Sequence, residues 1–256
     1  MGNSLKLWVG TGRDHRVNER GYEHRQPVAE GVVLTSAEVL AGGVDVGLRW
    51  AFRERIARLP GRELALGTSW PILNVEATRY IDGLWEGELD GWRVAARLDK
   101  TFRMSLIGDL SFVLMAAAAQ DDLPMTYLFN LRGTNSNGLN LAVPATFETM
   151  RPNAFQADRF AAAHVSHDFG TLLGKGKHFR PRPGISFSAG IAELKRPQEH
   201  GGMAFAAMAD PYMEAGVRVE GVFAGLGVAA FTPVGTYSTG DLAEDVVLKL
   251  TYRLPF

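Results

Sequence analysis

The chain of 256 residues has no cysteine. Without a thiol it has no disulfide bond, no zinc–thiolate centre, no iron–sulfur cluster and no cysteine nucleophile. An excess of charge of one sign is also lacking, since 27 Lys and Arg stand against 28 Asp and Glu. A chain this close to neutral has no overall basic field to attract nucleic acid. We therefore expect neither thiol chemistry nor a nucleic-acid partner.

A long hydrophobic run is missing as well. A transmembrane helix needs roughly 20 apolar residues, and the longest apolar run, FVLMAAAA at residues 112–119, is much shorter. The first ten residues, MGNSLKLWVG, do not have the basic, apolar and small-residue order of a signal peptide. These two absences predict either a cytosolic protein or a mature chain or fragment without its leader.

What the sequence does have is alternation. In the segment YMEAGVRVEGVF at residues 212–223, apolar side chains recur at every second position, and Glu214, Arg218 and Glu220 lie between them. Successive side chains of a strand point to opposite faces, so this pattern predicts a strand with one apolar and one polar face. Connections rich in Gly, Pro, Asn and Asp predict turns between such strands. One short stretch, SAEVLAGG at residues 36–43, is interpreted as a turn of helix.

The alternation recurs often enough to predict an all-β fold of about ten to twelve antiparallel strands. Residues 121–155 break the pattern and are interpreted as one long excursion between two strands. The strands are expected to begin near Leu5, Val32, Val44, Leu73, Trp92, Leu106, Arg159, Ile185, Tyr212, Gly225 and Val246.

Two architectures fit such strands. In a soluble sandwich or lipocalin-like barrel the apolar face points inward, whereas in a membrane barrel it faces lipid and the polar face lines the lumen. The apolar faces here mix alanine with large side chains, which lipid tolerates better than a close-packed core does. Several strands also reach the ten or so residues that a tilted strand needs to cross a bilayer. We therefore predict an antiparallel transmembrane β-barrel of about 10–12 strands, with residues 1–256 as a single outer-membrane domain.

The end of the chain favours the membrane interpretation. The last eleven residues, VVLKLTYRLPF, alternate up to the final position, where a soluble strand normally trails polar residues. Tyr252, Leu254 and Phe256 form a pattern that resembles the assembly signal read by the barrel-assembly machinery of Gram-negative outer membranes. The resemblance implies an outer-membrane location in the cell envelope. It also implies the assembly machinery as a partner during biogenesis, and outer-membrane lipid or lipopolysaccharide as the surroundings.

Four stretches, in sequence order, carry a family resemblance: SWPILNVEATRYIDG, YLFNLRGTNSNGLNL, FETMRPNAFQADRFAAAHVSHDFGTLL and DPYMEAGVRVEGVF. Together they resemble the C-terminal outer-membrane β-barrel of a Bacteroidetes-type family of unknown function, over residues 44–256. Full-length members of that family carry an N-terminal carboxypeptidase-like regulatory domain. The resemblance therefore implies that this chain is the barrel portion of a longer protein or a short relative, and it implies no activity.

A more distant similarity is to barrels of the surface-antigen and protein-translocation superfamily. Those barrels have a luminal loop with an Arg-Gly pair, which corresponds here to Arg132 and Gly133. The similarity implies that Arg132 meets an acidic residue of a later strand, and alternation puts Glu214 on the polar face. A guanidinium and a carboxylate can form two parallel hydrogen bonds, so we hypothesise an Arg132–Glu214 pair. An arginine in an exposed loop is the alternative.

Further charges are expected on the polar face of the strands. Their signs are mixed, which predicts ion pairs between neighbouring strands in a narrow or plugged lumen rather than a wide selective pore. The candidates are Arg97, Asp99, Arg218 and Glu220.

The sequence offers only weak signals for a catalytic or metal site. His164 and Ser166 share one strand face, but same-face neighbours on a strand stand about 7 Å apart, and no G-x-S-x-G sequence is present. The remaining histidines considered, His167, His178 and His200, do not combine with His164 into a metal-ligand spacing. We expect these four histidines at the surface or along the lumen.

We predict a non-enzymatic outer-membrane protein with a structural, transport or assembly role, without cofactor or metal, whose partners include other envelope proteins. Two alternatives stay open at this point: an outer-membrane lipid hydrolase that uses Ser166 and His164, and a soluble ligand-binding β-barrel. A further possibility is that N-terminal strands are missing and the barrel is incomplete. Lipid does not tolerate an unpaired sheet edge, so such a chain would be one part of a multi-chain assembly. Closure between the strands near Leu5 and Val246 would establish a complete barrel.

Overall fold

The computed structural model describes residues 2–17, 22–29, 32–36, 38–59, 61–120, 122–171, 176, 179–202 and 206–253. The strands in chain order are β1 (Gly2–Val17), β2 (Glu23–Ala29), β3 (Val32–Ser36), β4 (Glu38–Glu54), β5 (Ile56–Leu59), β6 (Arg62–Ala65), β7 (Ile72–Tyr80), β8 (Gly91–Met104), β9 (Gly108–Ala119), β10 (Phe129–Asn130), β11 (Asn140–Leu141), β12 (Gln156–Ala157), β13 (Arg159–Asp168), β14 (Arg182–Glu193), β15 (His200–Gly201), β16 (Tyr212–Phe223), β17 (Leu226–Val234) and β18 (Val247–Tyr252). The helical elements are α1 (Leu242–Asp245) and 3-10 turns at Leu84–Glu86, Met125–Tyr127, Pro197–Glu199 and Gly235–Tyr237. Within the described ranges, no helix is long and apolar enough to cross a membrane.

Ten of these strands form one large antiparallel sheet. Its order is β1-β4-β7-β8-β9-β13-β14-β16-β17-β18, so each strand lies beside the next long strand along the chain. The two-residue strand β11 adds in parallel to the outer edge of β18. The predicted all-β, antiparallel fold is confirmed, and the eleven strands that the described residues place in this sheet agree with the expected ten to twelve.

Two local predictions differ from the structure. The strand expected near Val32 exists as β3, but it belongs to a separate three-stranded sheet of the order β15-β2-β3. The helical turn expected at residues 36–43 is wrong, because residues 38–43 are the first part of β4 and pair with residues 12–17 of β1. A continuous ladder of strand hydrogen bonds outweighs a weak local preference for helix.

The two edges of the large sheet differ from each other. Among the described residues, β1 pairs with β4 alone, whereas β18 has β17 on one side and β11 on the other. No pairing joins β1 to β18 in the described part of the chain, so the sheet is not closed there. The closure expected between the strands near Leu5 and Val246 is therefore not seen.

The strand registers give the sheet two chemically different faces. The first, here named the apolar face, exposes large hydrophobic side chains on eight of the ten long strands: Leu5, Leu7, Val9, Val46, Trp50, Trp92, Phe102, Leu114, Ile185, Phe187, Ile191, Val217, Val228, Leu248 and Tyr252. The second, here named the polar face, includes Lys6, Arg49, Asn74, Arg97, Ser111, His164, Ser188, Glu214 and Lys249. The period-two pattern of the sequence produces both faces, because strand side chains alternate sides.

The core of the molecule lies on the polar side of the sheet. Residues 122–157, here named the covering segment, connect β9 to β13 and fold back over the polar face. Leu131 and Phe147 of this segment pack on Gly190 of β14, where an added Cβ atom would lie 2.7 Å from Phe147. Tyr212 of β16 belongs to the same buried cluster. The excursion predicted at residues 121–155 is thus an ordered element that supplies much of the core.

Candidate functional site

A buried lysine joins the covering segment to the last strand. Lys249 of β18 is only 1% exposed. Its Nζ atom donates to Glu148 Oε2 at 2.6 Å, to Thr134 Oγ1 at 2.8 Å and to the Thr134 carbonyl oxygen at 3.0 Å. An ammonium group has three donors, and all three are used. The pair is therefore a fully satisfied buried salt bridge, which is the condition under which burying two charges is tolerated.

A buried carboxylate makes a second connection between sheet and covering segment. Glu214 of β16 is 2% exposed, and its Oε1 accepts from the Glu148 backbone N–H at 2.9 Å. Its Oε2 accepts from the Thr149 N–H at 3.0 Å and from the Thr149 hydroxyl at 2.8 Å. The Thr149 and Tyr212 hydroxyls are also 2.7 Å apart. Glu214 of the sheet thus binds the backbone of the covering segment at residues 148 and 149, and the Glu148 side chain binds Lys249 of the sheet.

The Arg132–Glu214 pair that we hypothesised is not formed. Arg132 is exposed and contacts no carboxylate among the described residues, although its carbonyl oxygen accepts from the Phe147 N–H at 2.8 Å. The physical reason is that Glu214 already accepts three hydrogen bonds from the covering segment. In the Arg-Gly pair it is the glycine that is constrained, because a Cβ atom on Gly133 would lie 2.3 Å from the Arg151 carbonyl oxygen.

The other predicted charges do form ion pairs on the polar face. Arg97 Nη2 lies 2.7 Å from Asp99 Oδ1, and Arg218 Nε lies 3.3 Å from Glu220 Oε1. Both pairs join residues two positions apart on one strand, not residues of facing strands as expected. The cause is the strand period of two, which brings such residues to the same face.

Pairs between strands, as predicted for the polar face, occur at its end near β18. Asp168 of β13 contacts Arg182 of β14 at 3.0 Å and Arg253, after β18, at 2.8 Å. Arg253 also contacts Glu220 at 3.0 Å. Together with Arg218 these residues form one charge network along the end of the polar face near β18. The sequence predicts both positions, because alternation along HVSHDFG puts Asp168 on the polar face and alternation of the final strand puts Arg253 there.

Two adjoining cavities lie on the polar face. One of about 300 Å³ lies between the strands and residues 142–146 of the covering segment. Another of about 400 Å³ reaches the charge network. The two share Ser111, Ser166 and Arg218 in their walls, so they form a continuous space. Hydroxyl groups and paired charges line it together with apolar side chains such as Val113 and Phe231, so its walls are chemically mixed.

The residues of the hydrolase alternative are close in sequence but are not joined. His164 Nδ1 lies 2.9 Å from the hydroxyl of Ser188 on the neighbouring strand, and no hydrogen bond links it to Ser166 within the described residues. Nucleophilic catalysis needs the base within hydrogen-bond reach of the nucleophile. His164 lies on the polar face, which is the lumen side of the predicted barrel, and lines the smaller cavity. It is buried there because the covering segment places Phe147 against its ring, with the ring centroids 5.0 Å apart.

The remaining histidines have different environments. His167 lies on the apolar side of β13, where its Nε2 is 2.6 Å from the Ile107 carbonyl oxygen. His178 lies outside the described residues. His200 is buried in the small sheet, contrary to expectation, and its ring lies 5.7 Å from that of His24. Groups of three or more metal-ligating side chains are absent from the part of the chain that the structure describes.

The buried histidine pair adjoins a tyrosine that connects two elements. The Tyr22 hydroxyl is 2.8 Å from His200 Nδ1 and accepts from the Met125 N–H at 2.9 Å. Burial raises the pKa of Tyr22 to about 12 and lowers the pKa of His200 to about 4. Burial also lowers the pKa of His24, and Asp122 opposes that effect. Tyr22, His24 and His200 are therefore neutral at pH 7, which is how buried titratable groups avoid the cost of an unpaired charge.

The predicted assembly signal is only partly visible. Tyr252 is the last residue of β18 and lies exposed on the apolar face. Leu254 and Phe256 lie outside the described residues.

Comparison with family models and with curated proteins adds no relative. No family model matches the chain, and no curated protein matches it. The family resemblance given by the sequence stretches therefore stays a prediction.

Proposed function

We propose that the protein is an outer-membrane β-barrel protein of a Gram-negative bacterium, with a structural, transport or assembly role and no catalysis. One observation carries the proposal: the large sheet exposes its apolar face over eight of its ten long strands. Soluble monomers rarely expose a contiguous apolar patch of more than a few hundred Å². In the proposal, this face meets the hydrocarbon of the bilayer.

The position of the covering segment supports lipid rather than protein as the partner of the apolar face. In a soluble barrel the apolar face points inward and builds the core. Here the buried cluster around Leu131 and Phe147 lies on the opposite side, against the polar face. The chain thus uses its own covering segment to fill the polar side and leaves the apolar side exposed, which is the arrangement of a membrane barrel with an occupied lumen.

Strand lengths agree with the proposal. Tilted strands need about 9–11 residues to cross a bilayer, and β1, β4, β8, β9, β14 and β16 have 12 to 17 residues each. The connections agree only in part. At the end opposite the covering segment, residues 105–107 and 224–225 make the short turns typical of a periplasmic side, but residues 55–71 and 169–181 are long connections.

The proposed partners follow from this location. They are outer-membrane lipid and lipopolysaccharide around the apolar face, the barrel-assembly machinery during biogenesis, and other envelope proteins. The outer edge of β1, which has no partner strand among the described residues, bears on the last of these, because a bilayer does not tolerate unpaired backbone groups. In a membrane that edge has to be covered, either by the same chain or by another.

Membrane insertion can be tested directly with the purified chain. After refolding in detergent and transfer to phosphatidylcholine vesicles, we expect the protein to float with the vesicles and to stay there through alkaline carbonate and high salt, which release peripheral proteins. The matched comparison is the same chain refolded in plain buffer, where the exposed apolar face predicts aggregation. Folding to a monodisperse β-rich species without detergent or lipid would contradict the proposal and favour the soluble ligand-binding barrel.

A further inference from the structure

Part of the covering segment lies at the edge of the sheet rather than over its polar face. Asn140 and Leu141 pair in parallel with Lys249 and Leu250 of β18, and the Ala142 N–H donates to the Leu250 carbonyl oxygen at 2.8 Å. The last long strand of the sheet therefore has a neighbour at this point, taken from a segment that otherwise packs on the polar side.

This neighbour alternates as the long strands of the sheet do. Leu139 and Leu141 are 71% and 56% exposed. The register aligns Leu141 with Leu250 of the apolar face and Asn140 with Lys249 of the polar face. Because side chains of paired strands at matching positions point to the same side of a sheet, Leu139 and Leu141 continue the apolar face by one strand. The sequence LNLA thus has the same two-faced chemistry as the long strands.

We propose that residues 139–142 form a wall strand whose Leu139 and Leu141 contact the acyl chains of the bilayer. The covering segment would then have two parts with different surroundings, an inner part held by Glu148 and Glu214 and this lipid-facing part. The occupant of the surface is lipid hydrocarbon, because the two side chains are continuous with the apolar face. This inference rests on the proposed membrane location.

The pairing has a consequence for the closure of the sheet. The outer edge of β18 at Lys249 and Leu250 can serve one neighbour, and residues 140–142 occupy it. β1 could reach β18 at these positions only if the wall strand left. An edge approaching from β1 would otherwise meet residues 139–142 first.

The absence of cysteine makes the test clean, since each introduced thiol is the only one in the chain. Three single variants are labelled with an environment-sensitive fluorophore: Leu141→Cys in the wall strand, Leu248→Cys on the apolar face of β18, and Ala142→Cys. Residue 142 lines the cavity of about 300 Å³ on the polar face. Each labelled protein is placed in phosphatidylcholine vesicles with or without brominated acyl chains, which quench a fluorophore by contact. We expect loss of fluorescence at residues 141 and 248 and none at residue 142.

The outcomes separate this inference from the proposed function. Quenching at residue 248 without quenching at residue 141 would overturn the wall strand and leave the membrane location intact. Equal quenching at residues 141 and 142 would also overturn it, because a strand must alternate. No quenching at any of the three sites would refute the membrane location itself. A second measurement is the double variant Leu141→Cys/Leu250→Cys, for which we expect disulfide formation on mild oxidation; its absence counts against the pairing.

Discussion

At the scale of single residues, the covering segment is held to the sheet by two acidic groups and one lysine. Glu148 and Lys249 are 101 positions apart in sequence, yet their charged atoms are 2.6 Å apart in a buried site. Such a pair adds little net stability when it replaces well-packed apolar residues, but removing one partner leaves the other charge buried and unpaired. Replacing only one of the two residues should therefore reduce the stability more than replacing both.

The first prediction concerns that lysine. Lys249→Met should lower the free energy of unfolding by about 3–5 kcal/mol, because it leaves the Glu148 carboxylate buried without its cation. The double variant Lys249→Met/Glu148→Gln should recover part of the loss. The measurement is urea unfolding in detergent micelles, with Lys6→Met as the control at an exposed position of the polar face, where the change should stay within about 0.5 kcal/mol. Equal effects at residues 249 and 6 would contradict the buried pair.

A second residue-scale prediction concerns the glycine of the Arg-Gly pair. A Cβ atom on Gly133 would lie 2.3 Å from the Arg151 carbonyl oxygen and 2.6 Å from that of Met150. Gly133→Ala should therefore destabilise the protein by about 1–3 kcal/mol through overpacking. Gly10→Ala on β1, where an added Cβ meets nothing within 4 Å, is the matched control. Urea unfolding in the same micelles compares the two, and a neutral Gly133→Ala would show that the covering segment can move away.

At the scale of elements, the small β15-β2-β3 sheet docks on the covering segment through titratable groups. Tyr22 bridges His200 and the Met125 backbone, and His24, Glu199 and Asp122 surround this contact. Burial lowers the pKa of His200 to about 4. In the unfolded chain a histidine takes its proton near pH 6.5. The unfolded state therefore binds more protons between these values, and the stability of the docked arrangement rises with pH across that window.

The prediction at this scale is a pH-dependent loosening. Docking of the small sheet should be complete above about pH 6.5 and should weaken progressively towards pH 4. Hydrogen exchange of the backbone amides in residues 22–29 and 122–128 should accordingly show less protection at pH 5 than at pH 7.5, after correction for the intrinsic exchange rate. His200→Gln should flatten this dependence, whereas His15→Gln, at an exposed position, should not. Unchanged protection between the two pH values would disprove the titration.

At the scale of the whole molecule, the sequence predicts what depends on local periodicity and fails where contacts are distant. The alternation of apolar and polar residues predicted the positions of all ten long strands of the sheet, because this pattern depends only on neighbouring residues. It could not reveal that Glu214 binds the backbone at Glu148, 66 positions away, nor that Lys249 reaches Thr134 over 115 positions. It also could not reveal that the covering segment, which is distant in sequence, buries His164 on the polar face.

The last prediction tests which solvent meets the apolar face. Val217 lies at the middle of β16 and is 59% exposed on that face. At the midplane of a bilayer an arginine on a lipid-facing strand position costs about 2–4 kcal/mol, whereas at an exposed site in water a substitution usually stays within about 0.5 kcal/mol. Val217→Arg should thus lower the free energy of unfolding in phosphatidylcholine vesicles well beyond Val217→Ala. If Val217→Arg instead left stability unchanged or raised solubility in plain buffer, the apolar face would be meeting water.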